Sequence, residues 1–238
     1  MHVPDGFFNA ATSVGAGVVT AGTLAASLKK AARDLSDRLA PMAGLVAAFI
    51  FALQMLNFPV ASGTSGHLLG GALAAVLVGP WVGSLCIAIV LLVQSLLFAD
   101  GGLSAYGLNV LLIATIPSFV GYGVFRALRR VLPRTAPSVV GASAVAALVS
   151  VPVAAAAFAL LFGIGGNVDL ELGSVLGAMV GVHVLVGMGE ALITAAVVSA
   201  VVNVRPDLVH AASDLTPDLD LRVAAPSTGR PVSAGGER

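Results

Sequence analysis

Long apolar runs, rather than an alternation of apolar and polar positions, dominate this chain. Stretches near 8–28, 39–58, 68–79, 82–98, 105–126, 138–162 and 174–202 each lack the charged stripe of a soluble amphipathic helix. A helix that is apolar all round belongs in a core or in lipid. About 20 such residues cross the hydrocarbon of a bilayer, a length that all but the short third stretch approach. Hydropathy alone leaves one ambiguity: residues 68–98 read either as two crossings or as one long helix kinked at Pro80. After 202 the apolar period stops. Residues 203–238 are rich in Pro, Asp, Ala and Gly and read as a solvated, largely disordered tail.

Charge placement resolves the ambiguity. Twelve Lys and Arg residues fall into three groups, in 29–38, in 126–134 and after 203. Positive residues flanking spans mark the cytoplasmic side. With two crossings in 68–98, all three groups land on one side; with one crossing they split. The expected fold is therefore all-α, a polytopic bundle of about seven transmembrane helices with the N-terminus outside and the C-terminus cytoplasmic. Residues 1–202 form the membrane domain, and 203–238 the cytoplasmic tail. A signal peptide needs a basic opening, and MHVPDGF has no Lys or Arg, so Met1 is expected to remain the first residue. The loop 163–173 reads as external and flexible.

Composition agrees. Hydrophobic residues make up 58% and charged ones 10%, far from the balance of a water-soluble domain, and the mean hydropathy is +1.00. A net charge of zero excludes a basic nucleic-acid binder. The single Cys86 excludes a disulfide framework and reads as a small buried hydrophobe. No H-E-x-x-H and no G-x-x-x-x-G-K-[ST] occurs, so active transport would draw its energy from a partner or an ion gradient. Abundant Gly and Ala allow close helix approach. Gly17-x3-Ala21-x3-Ala25 and Gly44-x3-Ala48 offer small-residue faces for packing inside the bundle or against another subunit.

Few ionisable groups reach membrane depth, and such groups are expensive there. His2 follows a chain start whose α-amine, backbone amide nitrogen and imidazole can close a five- and a six-membered chelate ring. Planar nitrogen sites of this kind suit late divalent metals such as Ni(II) and Cu(II). Pro4-Asp5-Gly6 is turn chemistry that can fold the terminus back onto the bundle. His67, on the same expected side, supplies a fourth nitrogen, and Thr64 and Ser65 are candidates to hold its second ring nitrogen. His183 and Glu190 lie seven residues apart on one helix face, as a metal relay, a proton path or a structural polar pair. Gln54, Asn57, Gln94 and Asn109 read as interhelical bridges. Asp100-Gly101-Gly102 reads as an external turn, and His210 as a tail residue.

Taken together, Met1-His2-Val3-Pro4-Asp5-Gly6-Phe7, Gln54-Met55-Leu56-Asn57-Phe58-Pro59-Val60 and Ser65-Gly66-His67-Leu68-Leu69-Gly70-Gly71 resemble motifs of the CbiM/NikM family. Asp100-Gly101-Gly102, Gly107-x-Asn109 and His183-x6-Glu190-Ala191-Leu192-Ile193-Thr194 follow the same pattern. These are the substrate-capture (S) components of energy-coupling factor ABC transporters for cobalt and nickel. The resemblance covers roughly residues 1–200 and implies an added N-terminal helix on a six-helix core. It implies a transported Co2+ or Ni2+ held by Met1, His2 and His67, with no catalytic cofactor and no enzymatic activity. It also implies partners: a coupling transmembrane subunit, cytoplasmic ATPases and a small accessory membrane subunit. The alternative expectation is a stand-alone secondary metal-ion transporter or channel that uses His183 and Glu190 as an ion path.

Overall fold

The computed structural model describes residues 1–34, 39–56, 58–60 and 64–215. An opening segment leads into α1 (Ala10–Asp34) and α2 (Leu39–Gln54), followed by a short antiparallel hairpin of β1 (Phe58–Val60) and β2 (Thr64–Gly66). Then come α3 (Gly71–Val78) and α4 (Pro80–Leu97). A continuous rod follows, made of α5 (Tyr106–Asn109), a π-helical stretch (Val110–Thr115) and α6 (Ile116–Arg129). The long pair α7 (Ala136–Gly165) and α8 (Leu172–Val204) completes the bundle. Helix thus occupies every apolar stretch read from the sequence. Among the described residues, five helical rods, α1, α4, α5–α6, α7 and α8, are long and apolar enough to cross a membrane, while α2 is shorter. Leucines such as Leu45, Leu185 and Leu192 stand on the outer faces, as a lipid surround requires.

The third stretch departs from expectation. Read as a short crossing over 68–79, it is an eight-residue helix, about 12 Å long at 1.5 Å per residue and too short to span the hydrocarbon core. All eight side chains are buried, because α3 is enclosed by its neighbours rather than by lipid. Glycines in left-handed or otherwise positive-φ conformations bound it, Gly70 at φ 77° and Gly79 at φ 86°. Pro80 then opens α4, so 68–98 is two helices with a sharp break and not one kinked rod.

Small residues make the enclosure possible. A Cβ on Gly121 would lie 2.7 Å from the Ala72 Cβ, and one on Gly71 would lie 2.7 Å from Pro117, so α3 and α6 touch nearly backbone to backbone. Gly107 meets the Gly17 Cα in the same way, with only 2.6 Å for an added Cβ. Gly17 is therefore spent on packing inside the bundle, whereas Gly44 and Ala48 face outward. The π-helical stretch ends beside Pro117, which has no N–H to donate to the Ile113 carbonyl.

The tail begins later than the sequence suggests. α8 continues to Val204, and two 3-10 turns follow at Pro206–Leu208 and His210–Leu215. Val209 and Ala212 are buried there, and the His210 ring lies 5.8 Å from that of Tyr122. Asp214 pairs with Arg129. These contacts, which a composition count does not show, fold 203–215 onto the bundle; 216–238 lie outside the described residues. Lys30, Arg126 and His210 line one cleft, so the segments carrying the three basic groups converge at one end of the molecule.

Replacing Gly107 with Val should destabilise the bundle by about 1–3 kcal/mol, the usual scale for overpacking. Gly22, whose added Cβ would meet nothing within 4 Å, should accept Ala with little effect. Thermal unfolding in detergent compares the two. Equal midpoints would contradict the packing at Gly17.

Candidate metal centre at the chain start

The first nine residues are built into the bundle. Gly6 adopts φ 78° and turns the chain after Pro4 and Asp5. The Asp5 carboxylate accepts from the Ser104 amide at 2.8 Å and from its hydroxyl. Asn109 takes both sides of Val3: the Val3 N–H donates to Oδ1 at 2.7 Å, and Nδ2 donates to the Val3 carbonyl at 3.1 Å. That carbonyl also accepts from the Gly102 N–H at 2.8 Å. Further along, the Asn9 N–H donates to the Gly165 carbonyl at 2.8 Å, and the Asn167 N–H donates to the Phe7 carbonyl at 2.9 Å. Phe7 and Phe8 pack against Phe158 and Phe162. The 163–173 loop, flexible by composition, is thus paired with the opening segment through 165–167.

This seat brings the sequence-derived candidates together. Met1 is 5% exposed and His67 fully buried. The His2 and His67 ring centroids are 4.5 Å apart, with planes inclined by 31°. His2 Nδ1 lies 3.0 Å from Asp100 Oδ1, and Nε2 lies 3.2 Å from Gln94 Oε1. His67 Nδ1 donates to the Leu68 carbonyl at 2.9 Å. A carbonyl only accepts, so the proton of neutral His67 is on Nδ1 and its lone pair is on Nε2. That Nε2 is buried and has no hydrogen-bond partner. The backbone of Leu68 thus takes the role expected of Thr64 or Ser65, whose side chains lie outside the described residues, as does Asn57.

Burial sets the charge states. It lowers the Met1 amine from 8.0 to about 5, against the opposing pull of Asp100. The amine is therefore neutral near pH 7. Burial likewise pushes His67 well below the usual imidazole value, reinforced by the nearby amine, His2 and His183. Hydrogen bonding from His2 holds Asp100 below the usual carboxylate range, and bonds from Ser104 do the same for Asp5.

His183 and Glu190 share a buried face of α8, as their spacing implies, but they do not join each other. His183 Nδ1 donates to the Met179 carbonyl at 2.7 Å, leaving Nε2 buried without a partner. Glu190 accepts from the Leu69 N–H at 2.8 Å and the Gly70 N–H at 3.0 Å. Gln54 Nε2 donates to the Leu69 carbonyl at 2.8 Å. The sequence reads Gln54, Gln94 and Asn109 only as interhelical bridges, and Glu190 as half of a relay, path or polar pair with His183 rather than as the partner of the Leu69 and Gly70 amides. Their shared signal is a strong hydrogen-bonding group in a region with almost none. Among the described residues no three or more His, Cys, Asp or Glu side chains are grouped to hold a metal.

The architecture is that of a multi-pass membrane protein, with buried His67, Gln94 and Asn109 close to its opening residues. Residues 2–208 match the family model CbiM, described as a cobalt uptake substrate-specific transmembrane region. The chain belongs to the CbiM family, whose members are membrane components of cobalt and nickel transport. It is 38% identical over 224 residues to a Haloquadratum walsbyi protein provisionally named a metal transport protein, covering 93% of this chain and 100% of the relative. It is 39% identical over 210 residues to a protein of Archaeoglobus fulgidus provisionally named a fused nickel transport protein NikMN, covering 88% and 68% of the two chains. The crystal structure of a transition metal transporter superposes with a TM-score of 0.79 at 31% identity, covering 86% of this chain and 93% of that one.

Acid should loosen the seat. A released amine takes up a proton as the pH falls below 8.0, whereas the seated amine resists until about 5. The seat is thus most stable above pH 8.0 and weakens toward 5, by up to about 4 kcal/mol from this group. His67, also lowered, acts in the same direction below 6.5; Asp100 acts only below 3.8. Protection of the Val3 amide against hydrogen exchange, corrected for intrinsic rate, should fall across this window in the metal-free protein. Constant protection would contradict the buried amine.

Proposed function

We propose that this protein is the substrate-capture subunit of an energy-coupling factor ABC transporter that imports Co2+ or Ni2+. The observation that carries the reading is the neutral Met1 amine buried beside two facing imidazoles, one with an unpartnered Nε2. The amine of Met1 and the amide and Nδ1 of His2 form fused five- and six-membered chelate rings. His67 Nε2 completes a plane of four nitrogens, a set that suits late divalent ions. Nδ1 of His2 faces Asp100 at 3.0 Å. Loading therefore requires the imidazole to leave Asp100 and turn toward the amine.

The partners are a coupling membrane subunit, cytoplasmic ATPases and a small accessory membrane subunit, because this chain has no phosphate-binding loop of its own. Residues 1–202 capture the metal on the external side, and the end where the basic segments converge faces the cytoplasm. The competing reading, a stand-alone carrier using His183 and Glu190 as an ion path, meets an obstacle in Glu190, whose two oxygens are already engaged by backbone amides. Chemistry on a bound metal would need a labile position in the plane, and four nitrogens fill it.

Inserting one Ala between Met1 and His2 breaks the ring sequence and should abolish tight Ni2+ or Co2+ binding by calorimetry in detergent. Changing His67 to Ala should lower affinity at least tenfold, since it removes the fourth nitrogen. Undiminished binding in both variants would overturn the chelate. Sustained uptake into liposomes holding this chain alone would overturn the subunit assignment.

A further inference from the structure

Residues 67–70 are irregular backbone inside a membrane bundle, which is tolerated only where protein satisfies the amides and carbonyls. The partner of the Leu69 N–H is Glu190, reaching across from α8, 2% exposed and 2.8 Å away. The Leu69 N–H and the Leu68 carbonyl are the two ends of one peptide unit. That carbonyl accepts the His67 Nδ1 proton at 2.9 Å. A continuous arm therefore runs from carboxylate to peptide N–H, through the peptide to its carbonyl, and on to the imidazole. The second oxygen of Glu190 holds the Gly70 N–H at 3.0 Å, and Gln54 holds the Leu69 carbonyl at 2.8 Å. The Leu68–Leu69 peptide is thus held at both ends, and so is the Leu69–Gly70 peptide that follows it.

We propose that Glu190 is a positioning residue that, through the Leu68–Leu69 peptide, locks His67 in the Nδ1–H tautomer and presents its Nε2 to the chain start. Metal-ligating histidines commonly donate their second ring proton to a carboxylate or a carbonyl, which fixes ring orientation and raises ligand basicity. Here a carboxylate acts through a carbonyl, because hydrogen bonds in series polarise one another. A peptide N–H engaged by a carboxyl oxygen is more strongly polarised than one left without a partner. That makes the Leu68 carbonyl the better acceptor. The role assigned to Glu190 rests on His67 being a ligand, but its effect on the tautomer does not.

The test uses the full chain in detergent with 15N-labelled histidine, without metal and then with Ni2+ alone. In the parent, the His67 ring should report the Nδ1–H tautomer. Glu190→Ala should mix the tautomers and lower Ni2+ affinity about 10- to 100-fold, the usual scale for losing such support. Glu190→Gln, which keeps one acceptor, should fall between. The double variant with His67→Ala should bind no more weakly than His67→Ala alone. If Glu190→Ala fails to fold, Glu190→Gln carries the same measurement. An unchanged tautomer together with unchanged affinity would overturn the proposal. If His67→Ala leaves binding intact, the chelate reading falls, while the tautomer measurement still judges Glu190.

Discussion

The constraint on which the rest of the structure depends is that the chain must bury its own beginning. A free amine, an amide and an imidazole are among the most polar groups available, and they sit where the surroundings are largely apolar. Such a seat holds only if the main-chain groups of the opening segment are matched. Asn109 grips both sides of Val3, the 100–104 turn takes the Val3 carbonyl and Asp5, and the 165–167 segment ties down Phe7 and Asn9. Three distant parts of the sequence thus converge on nine residues. Depriving the amine of solvent also holds it neutral, so the seating and the nucleophilic character of the terminus have one cause.

The small helix α3 is the counterpart of that seat. It lies in the middle of the bundle, wholly enclosed, and its leading segment carries His67. Enclosure depends on glycine: with any side chain at Gly71 or Gly121, α6 could not come close enough to cover it. Enclosure in turn lets irregular backbone exist at membrane depth, and the groups that satisfy that backbone, Glu190 and Gln54, come from α8 and α2. The segment that carries His67 is thereby tied to helices on two sides. A shift of either helix would move His67 relative to the chain start.

Much of the arrangement was legible beforehand, for identifiable reasons. Apolar run length located each helix to within a few residues, because lipid leaves a segment little alternative to helix. The distribution of Lys and Arg argues for two crossings in 68–98, but α3 is an enclosed helix too short to be one of them. The Met1-His2 pair and His67 stood out because chelate ring size is set by covalent connectivity, which a sequence states directly. Less legible were the roles of Asn109, Gln94 and Glu190. An amide or carboxylate within an apolar run announces that it has a partner but not which one, since partners here lie up to about a hundred and twenty positions away. The tail was misjudged at its start because Val209 and Ala212 find cover that composition does not reveal.

By itself, then, the sequence determined the environment, the number and place of the apolar segments and the chemistry of the candidate ligands, all local or additive properties of the chain. Tertiary structure decided that α3 is an enclosed helix too short to cross, that residues 203–215 fold back, and that His67 keeps its lone pair on Nε2. Those outcomes depend on which surfaces meet. A glycine against a glycine, or a carboxylate against a peptide more than a hundred residues away, is a relation between segments that no single stretch of sequence contains.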